Sequence, residues 1–232
     1  MIEYLLPILA VVIGFLIVFF WKPDNQKNIK ILLSFSGGFL LAITAFNLIP
    51  EVFSSTHSHD HDAFDQKNLG LFVVIGVLAQ IFLEYFSKGA EHGHVYNNKE
   101  QQKFPFVLCI SLFIHAFLEG FPVHQTHGML QGIIIHKIPV ALILATFLFK
   151  SKLQKSQILV FMILFALATP IGTYVASNFS WATLYYKQIS ALVIGIFLHI
   201  STTILFESSE GHKYNLAKMT AIICAITLAY FI

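Results

Sequence analysis

The sequence contains 232 residues, of which 56% are hydrophobic and 11% are charged, and its formal net charge at pH 7 is +2. Soluble domains carry about 25% charged residues, so this composition excludes an ordinary soluble protein and indicates an integral membrane protein. A net charge this small excludes the strongly basic surface that is typical of nucleic-acid binding. The expected partner of most of the surface is therefore the lipid bilayer.

Apolar stretches long enough to cross a bilayer recur along the whole chain. A membrane-spanning helix needs about 20 apolar residues, with roughly 17 to 25 tolerated. The prediction is an all-α integral membrane protein with eight transmembrane helices, forming a single domain over residues 1–232 with polar loops at 54–68 and 88–104. The eight stretches are residues 2–21, 31–53, 69–87, 105–123, 129–149, 157–177, 187–206 and 215–232.

The lysines lie almost entirely on one side of the predicted bundle. Eleven fall in alternate loops or at their borders, while only Lys67 and Lys187 fall in or beside the others and Lys137 lies inside the fifth span. Cytoplasmic loops carry the excess of positive charge, so both termini and the loop 54–68 are predicted to be extracellular and the loop 88–104 cytoplasmic. The eleven are Lys22, Lys27, Lys30, Lys88, Lys99, Lys103, Lys150, Lys152, Lys155, Lys213 and Lys218.

The second and seventh spans share a pattern. Each opens with glycine, phenylalanine and leucine close together, at residues 37–40 and 195–198, and each closes with a glutamate, Glu51 or Glu207. Because the two spans are five apart in order, they cross the membrane in opposite directions. The likeness predicts an inverted repeat of helices 1–3 and 6–8 around the central helices 4–5, a design found in transporters.

The central pair of spans carries the candidate metal ligands. His115 and Glu119 are four residues apart, so on a helix they lie one turn apart on the same face. The turn at 122–128 is short, so we expect the fourth and fifth spans to be antiparallel neighbours, with His136 facing that pair. Imidazole nitrogen and carboxylate oxygen suit a divalent ion such as zinc. Ionisable groups are costly in a bilayer, so their convergence with Lys137 indicates a functional site.

The histidines outside these spans are mostly in loops. Histidine-rich tracts bind metal ions loosely, so these residues are candidates for an entrance or an exit for metal. The alternative is that they are ordinary solvated loop residues. The candidates are His57, His59, His61, His124 and His127 on the extracellular side, and His92 and His94 on the cytoplasmic side.

Four short motifs, taken in order, resemble those of one family, the ZIP (Zrt/Irt-like) metal transporters. Residues 115–120 (HAFLEG) resemble the fourth-span HxxxEG motif, and residues 136–139 (HKIP) resemble the fifth-span motif. Residues 48–51 (LIPE) are similar to the second-span motif, and residues 169–172 (TPIG) to the sixth-span motif. No single motif is specific, but the ordered set covers nearly the whole chain.

The resemblance implies an eight-helix bundle that moves zinc, or a related divalent ion, into the cytoplasm through a site between transmembrane helices 4 and 5. It implies His115, Glu119 and His136 as metal ligands, and it implies neither catalytic residues nor an enzyme. Zn²⁺ is the expected substrate, with Fe²⁺, Mn²⁺ and Cd²⁺ as alternatives that the same ligand chemistry suits.

Three positions depart from the family pattern. The fifth-span glutamate is Val140, the asparagine after the fourth-span histidine is Ala116, and the second-span histidine is Asn47. Family members that hold two ions use the positions of Ala116 and Lys137 for the second, and neither residue is a ligand here while the lysine is charged. We therefore expect a single-metal site in which Lys137 is the charge substitute for the second ion.

Three protein ligands leave zinc one short of its usual four, and water or another side chain can complete the set. Additional ligands or pathway residues are sought on the flanking spans. For His199, which lies in mid-span, the alternative is a hydrogen bond to a neighbouring helix. These candidates are His199, Asn47, Glu51 and Glu207.

Other functions remain open at the level of sequence. A membrane-embedded metalloenzyme would use the same three ligands around an open coordination position, but the sequence has no HExxH motif. A haem protein with histidine axial ligands and a metal sensor that does not transport are further alternatives. The compact loops and the absence of a targeting signal favour a bacterial inner membrane, and a homodimer is left open.

Overall fold

The structure, a computed structural model, describes residues 1–21, 26–54, 62–87, 105–126, 128–207 and 216–232. Over these ranges the chain is helical apart from short connections, and it contains no strand. The predicted all-α class is therefore confirmed for the described part of the chain.

The helices follow the predicted spans closely. The second span is one continuous helical path in which a π-helical turn, Thr44–Leu48, interrupts the α-helix. The fourth span ends in a short 3-10 turn, Phe121–His124. The α-helices are α1 (Ile2–Trp21), α2 (Gln26–Ile43), α3 (Ile49–Phe53), α4 (Asp62–Ser87), α5 (Phe106–Leu118), α6 (Met129–Lys150), α7 (Lys155–Asn178), α8 (Ser180–Leu184), α9 (Tyr186–Glu207) and α10 (Leu216–Tyr230).

Seven helical segments in the described ranges are long and apolar enough to cross a membrane. The eighth predicted stretch contains α10, which has 15 residues. At about 1.5 Å per residue, a helix of this length covers less than the ~30 Å hydrocarbon core of a bilayer. Seven spans are therefore established by length and composition, and the eighth stays a prediction.

Two clusters of buried apolar side chains hold the bundle together. The first lies among α2, α9 and α10, and the second among α1, α5 and α7. Helix α6 contributes to both, with Ile133 and Ile143 in the first cluster and Val140 and Leu144 in the second. Between membrane helices such contacts stabilise through close van der Waals packing, so α6 is fixed at the junction of the two clusters.

The central helices α5 and α6 have different packing partners. Helix α5 packs mainly along α7, and α6 packs mainly along α1 and α2. The predicted packing of the fourth span along the fifth is therefore not observed over most of their length. The two helices share one apolar cluster, and their polar side chains meet where His115 and Glu119 face His136 and Lys137.

The connection between α5 and α6, residues 119–128, reverses the direction of the chain. Helix α5 ends at Leu118, and the backbone N–H of Glu119 still donates to the His115 carbonyl, so the helical turn extends to Glu119. Helix α6 then starts after Gly128, whose φ of 80° lies in the left-handed region that glycine adopts readily. The backbone is thereby reversed within a few residues.

Candidate metal site

His115 and Glu119 form one side of the candidate site. They lie one turn apart at the end of α5, and the distance between His115 Nε2 and Glu119 Oε2 is 3.5 Å. Both side chains are nearly inaccessible, with exposed fractions of 2% and 1%. The predicted shared helical face is therefore observed, deep inside the bundle.

His136 supplies the other side of the candidate site from α6. Its exposed fraction is 2%, and its ring centroid lies 6.3 Å from that of His115, with the two rings nearly perpendicular. One ligand-type atom from each of His115, Glu119 and His136 lies within 4.8 Å of the others. The structure thus brings together the three residues that the sequence singled out as ligands.

Several polar atoms in this cluster lack hydrogen bonds. Both ring nitrogens of His136 and Oε2 of Glu119 are buried without a hydrogen-bond partner among the described residues. Buried polar atoms are normally paired, and each unpaired one costs about 1–3 kcal/mol. Unpaired nitrogen and oxygen atoms that converge on one point are what a binding site for a cation requires.

Lys137 carries the balancing positive charge. Its ammonium nitrogen donates a hydrogen bond to Glu119 Oε1, and both side chains are 1% exposed. The same nitrogen lies 4.7 Å from the centroid of the Phe165 ring on α7, where the negative face of the ring attracts it. An unpaired carboxylate at this depth would be very costly, so Lys137 keeps Glu119 charged when no metal is bound.

Thr169 on α7 also contacts the Glu119 carboxylate, and the sequence analysis gave it no role. Its hydroxyl is directed at Glu119 Oε1 and at the Ala116 carbonyl oxygen, each at 2.8 Å. Its residue type and its place in the TPIG motif did not reveal this contact, which depends on how α7 is turned against α5.

The glycines of two motifs explain how closely α5 and α7 approach. A Cβ atom added to Gly120 would overlap the Thr169 carbonyl oxygen, and one added to Gly172 would overlap that of Phe117. Small residues at such contacts let membrane helices pack backbone to backbone. This contact sets the distance between Thr169 and Glu119.

The three positions that depart from the family pattern either are apolar or lie beside residues outside the cluster of His115, Glu119 and His136. Val140 is buried within the second apolar cluster and offers no ligand atom. Ala116 contributes only its carbonyl group, which accepts from Thr169. Asn47 lies in the π-helical turn with its side chain beside Gly128, at the start of α6.

Other predicted ligands have partners outside the three-residue cluster. His199 Nε2 lies 2.7 Å from Glu84 Oε2 on α4, the interhelical hydrogen bond that was the alternative role for this histidine. Glu51 Oε1 accepts from the Tyr186 hydroxyl at 3.2 Å. The side chain of Glu207 lies outside the described part of the structure.

Of the predicted entrance and exit histidines, the structure describes one. His124 is about half exposed, and its Nδ1 lies 3.1 Å from Glu3 Oε2 at the start of α1. The others, His57, His59, His61, His92, His94 and His127, lie outside the described residues.

These features define a class of protein. Ionisable side chains buried inside a multi-pass helical bundle mark ion pathways, and two imidazoles with a carboxylate are ligands for a divalent metal ion. The family model described as ZIP zinc transporter matches residues 2–105 and 91–232, so the chain belongs to the ZIP zinc transporter family. The family consists of transporters, which supports the expectation that this chain is not an enzyme.

A curated relative agrees with this assignment. The chain is 23% identical over 207 residues to zinc transporter ZIP9-B of Xenopus laevis, an alignment that covers 77% of this chain and 67% of the relative. The chain is thus a multi-pass membrane protein similar to a zinc transporter. A relative from Xenopus laevis gives no support to the predicted bacterial inner membrane.

Proposed function

We propose that this protein carries Zn²⁺ across the membrane into the cytoplasm through a site formed by His115, Glu119 and His136 between α5 and α6. The observation that carries the proposal is the convergence of their ligand-type atoms within 4.8 Å, with neither His136 nitrogen hydrogen-bonded to any residue in the described part of the chain. A purely structural trio would satisfy these nitrogens with hydrogen bonds, whereas a site for passing ions leaves them available.

The ligand set suits an ion that binds and then leaves. Two nitrogens and one oxygen leave one zinc position for water, as is needed when a hydrated ion exchanges ligands on the way through. The same set accepts Fe²⁺, Mn²⁺ and Cd²⁺, since nitrogen and oxygen ligands do not by themselves select among divalent ions. Zinc is favoured as the substrate because the family and the relative are described as zinc transporters.

Lys137 limits the site to one ion. Its ammonium group lies on Glu119, where a second ion sharing that carboxylate would bind, and a lysine ammonium has no lone pair to donate. Its charge also repels the first ion, which weakens binding and aids release.

The order of helix packing supports the proposed inverted repeat within eight transmembrane helices. The lysine distribution supports the proposal that both termini are extracellular. If helices 1–3 and 6–8 are inverted repeats around helices 4–5, the packing of α4 on α9 should be matched by that of α10 on α2. Likewise, the packing of α1 on α6 should be matched by that of α7 on α5. All four contacts are among the main ones in the bundle.

In this topology the polar loops extend the pathway on both sides of a single domain. The loop 54–68 and the half-exposed His124 collect metal outside, and the loop 88–104 receives it in the cytoplasm. Asn47, Glu51, Glu207 and His199 are proposed as pathway residues rather than ligands. We propose a homodimer as the assembly to be tested by the mass of the purified protein in detergent.

Zinc uptake into proteoliposomes tests the proposed function. We expect saturable uptake by the wild-type chain and a fall of more than about tenfold in His136→Ala, since a ligand is lost. Ile133→Ala is the matched control, because Ile133 is fully buried one turn earlier on α6 but packs in an apolar cluster. Uptake by His136→Ala equal to that of the control, or zinc binding without flux in the wild type, would contradict the proposal.

A further inference from the structure

We propose that Thr169 is a positioning residue that, together with Lys137, holds Glu119 so that only its Oε2 atom faces the metal ion. The inference rests on the proposed transport site and adds a determinant of selectivity to it. A carboxylate that offers one oxygen favours the four-coordinate Zn²⁺ over Mn²⁺, whose sites are octahedral and rich in oxygen.

The two oxygens of Glu119 have different surroundings. Oε1 accepts from the Lys137 ammonium group and from the Thr169 hydroxyl, the latter at 2.8 Å. A carboxylate oxygen has two lone-pair sites, so Oε1 is fully engaged. Oε2 accepts no hydrogen bond from the described residues and lies 3.5 Å from His115 Nε2, on the side of the proposed ligands.

The hydroxyl of Thr169 is held in place by α5. Threonines inside helices commonly donate to a carbonyl one turn earlier, as Thr146 does to the Leu142 carbonyl at 2.8 Å. The single hydroxyl proton of Thr169, by contrast, is shared between two acceptors outside its own helix, the Ala116 carbonyl and the Glu119 carboxylate. Thr169 is fully buried, so no water competes for its proton.

The backbone contact between α5 and α7 makes this geometry rigid. Gly120 and Gly172 leave no space for a Cβ atom between the two helices, so Thr169 keeps its distance from Glu119. Rotation of the carboxylate to offer both oxygens would break the Thr169 hydrogen bond and displace Lys137. Hydrogen bonds to charged groups are stronger than those between neutral groups, so these two contacts hold the carboxylate in one orientation.

The test compares Thr169→Val, which removes the hydroxyl at nearly constant shape, with Thr169→Ser, which keeps it. Thr173→Val is the matched control, because Thr173 is equally buried one turn later and donates to the Gly120 carbonyl at 2.9 Å, away from Glu119. Zn²⁺ and Mn²⁺ uptake are measured in competition. Zinc dissociation constants are measured separately, with a chelator and less than one equivalent of metal.

We expect Thr169→Val to lower the ratio of zinc to manganese uptake and to weaken zinc binding, each by roughly tenfold. Thr169→Ser and Thr173→Val should keep both values near those of the wild type. Should Thr169→Val not fold, as judged by its elution in detergent, Thr169→Ala takes its place.

Equal behaviour of Thr169→Val and Thr173→Val, or a loss of selectivity in Thr169→Ser as large as in Thr169→Val, would overturn the inference. Failure of the proposed function has a different signature, namely a wild-type chain whose uptake is not saturable or does not depend on His136. The zinc dissociation constants still decide the role of Thr169 in that case, because they require no flux.

Discussion

Glu119 takes part both in the charge balance of the buried polar cluster and in the proposed binding of the metal ion. One oxygen is held by Lys137 and Thr169, and the other lies with the imidazoles of His115 and His136. With neutral histidines and no metal bound, the charges of the carboxylate and the ammonium cancel. This balance matters because an uncompensated charge at this depth costs several kcal/mol.

The charge balance predicts that stability can be restored without restoring transport. Glu119→Gln leaves the Lys137 ammonium buried without a countercharge, and we expect a loss of about 3–5 kcal/mol of stability. The double variant Glu119→Gln with Lys137→Met removes both charges, so most of that stability should return while zinc uptake stays lost. Thermal unfolding in detergent and proteoliposome uptake measure the two effects.

Lys137→Met alone completes this comparison, since it leaves the carboxylate buried without its ammonium partner and should also destabilise the empty protein. A double variant as unstable as Glu119→Gln would show that the ion pair is not what stabilises this part of the bundle. Recovered uptake in the double variant would remove Glu119 from the ligand set.

At the scale of single residues, the sequence predicted that His115, Glu119 and His136 lie together, and it did not predict the residue that supports Glu119. The four-residue spacing of His115 and Glu119 predicted that they share one face of a helix, and the cost of burying them indicated a functional site. Thr169 has no such signal, because its contact with Glu119 depends on the rotation and closeness of a helix 50 residues away along the chain. His199 could be either a ligand or an interhelical partner until Glu84 was seen beside it.

At the scale of helices, the contact between α5 and α7 determines how closely Thr169 approaches Glu119. Gly172→Ala would place a methyl group against the Phe117 carbonyl oxygen, so α7 must move away from α5. We expect a loss of about 1–3 kcal/mol from overpacking and reduced zinc uptake, because the movement withdraws Thr169 from Glu119. Thermal unfolding and uptake are again the measurements.

Gly70→Ala is the control for this variant, since nothing lies within 4 Å of a Cβ atom at that position on α4. It should leave both stability and uptake close to those of the wild type. Normal stability and uptake in Gly172→Ala would contradict the claim that close packing of α5 on α7 holds Thr169 against Glu119.

Helix boundaries and partners were less predictable than helix existence. Apolar length predicted the spans, but the end of α5 at Leu118 and the π-helical turn Thr44–Leu48 left no clear mark in composition. The short turn between α5 and α6 suggested that these helices pack together, yet they pack mainly on α7 and on α1 and α2. The hydrophobic pattern predicts which residues are apolar, but it does not predict which helices become neighbours.

At the scale of the whole molecule, two apolar clusters share the central helix α6. One joins α2, α9 and α10, the other joins α1, α5 and α7, and the three proposed ligands come from the end of α5 and from α6. A site supported from both clusters is suited to respond when one set of helices moves against the other. The sequence did not predict which helices share an apolar cluster, because packing partners depend on how the helix surfaces fit together in three dimensions.

The most direct test of the central claim is to locate zinc by anomalous diffraction at the zinc edge, using crystals of the wild-type chain and of His136→Ala. We predict one peak inside the membrane-spanning bundle, within about 2.0–2.2 Å of nitrogen atoms of His115 and His136 and one oxygen of Glu119. That peak should be absent or much weaker in His136→Ala. Zinc bound elsewhere within the bundle, with the space between these three residues empty, would contradict the account.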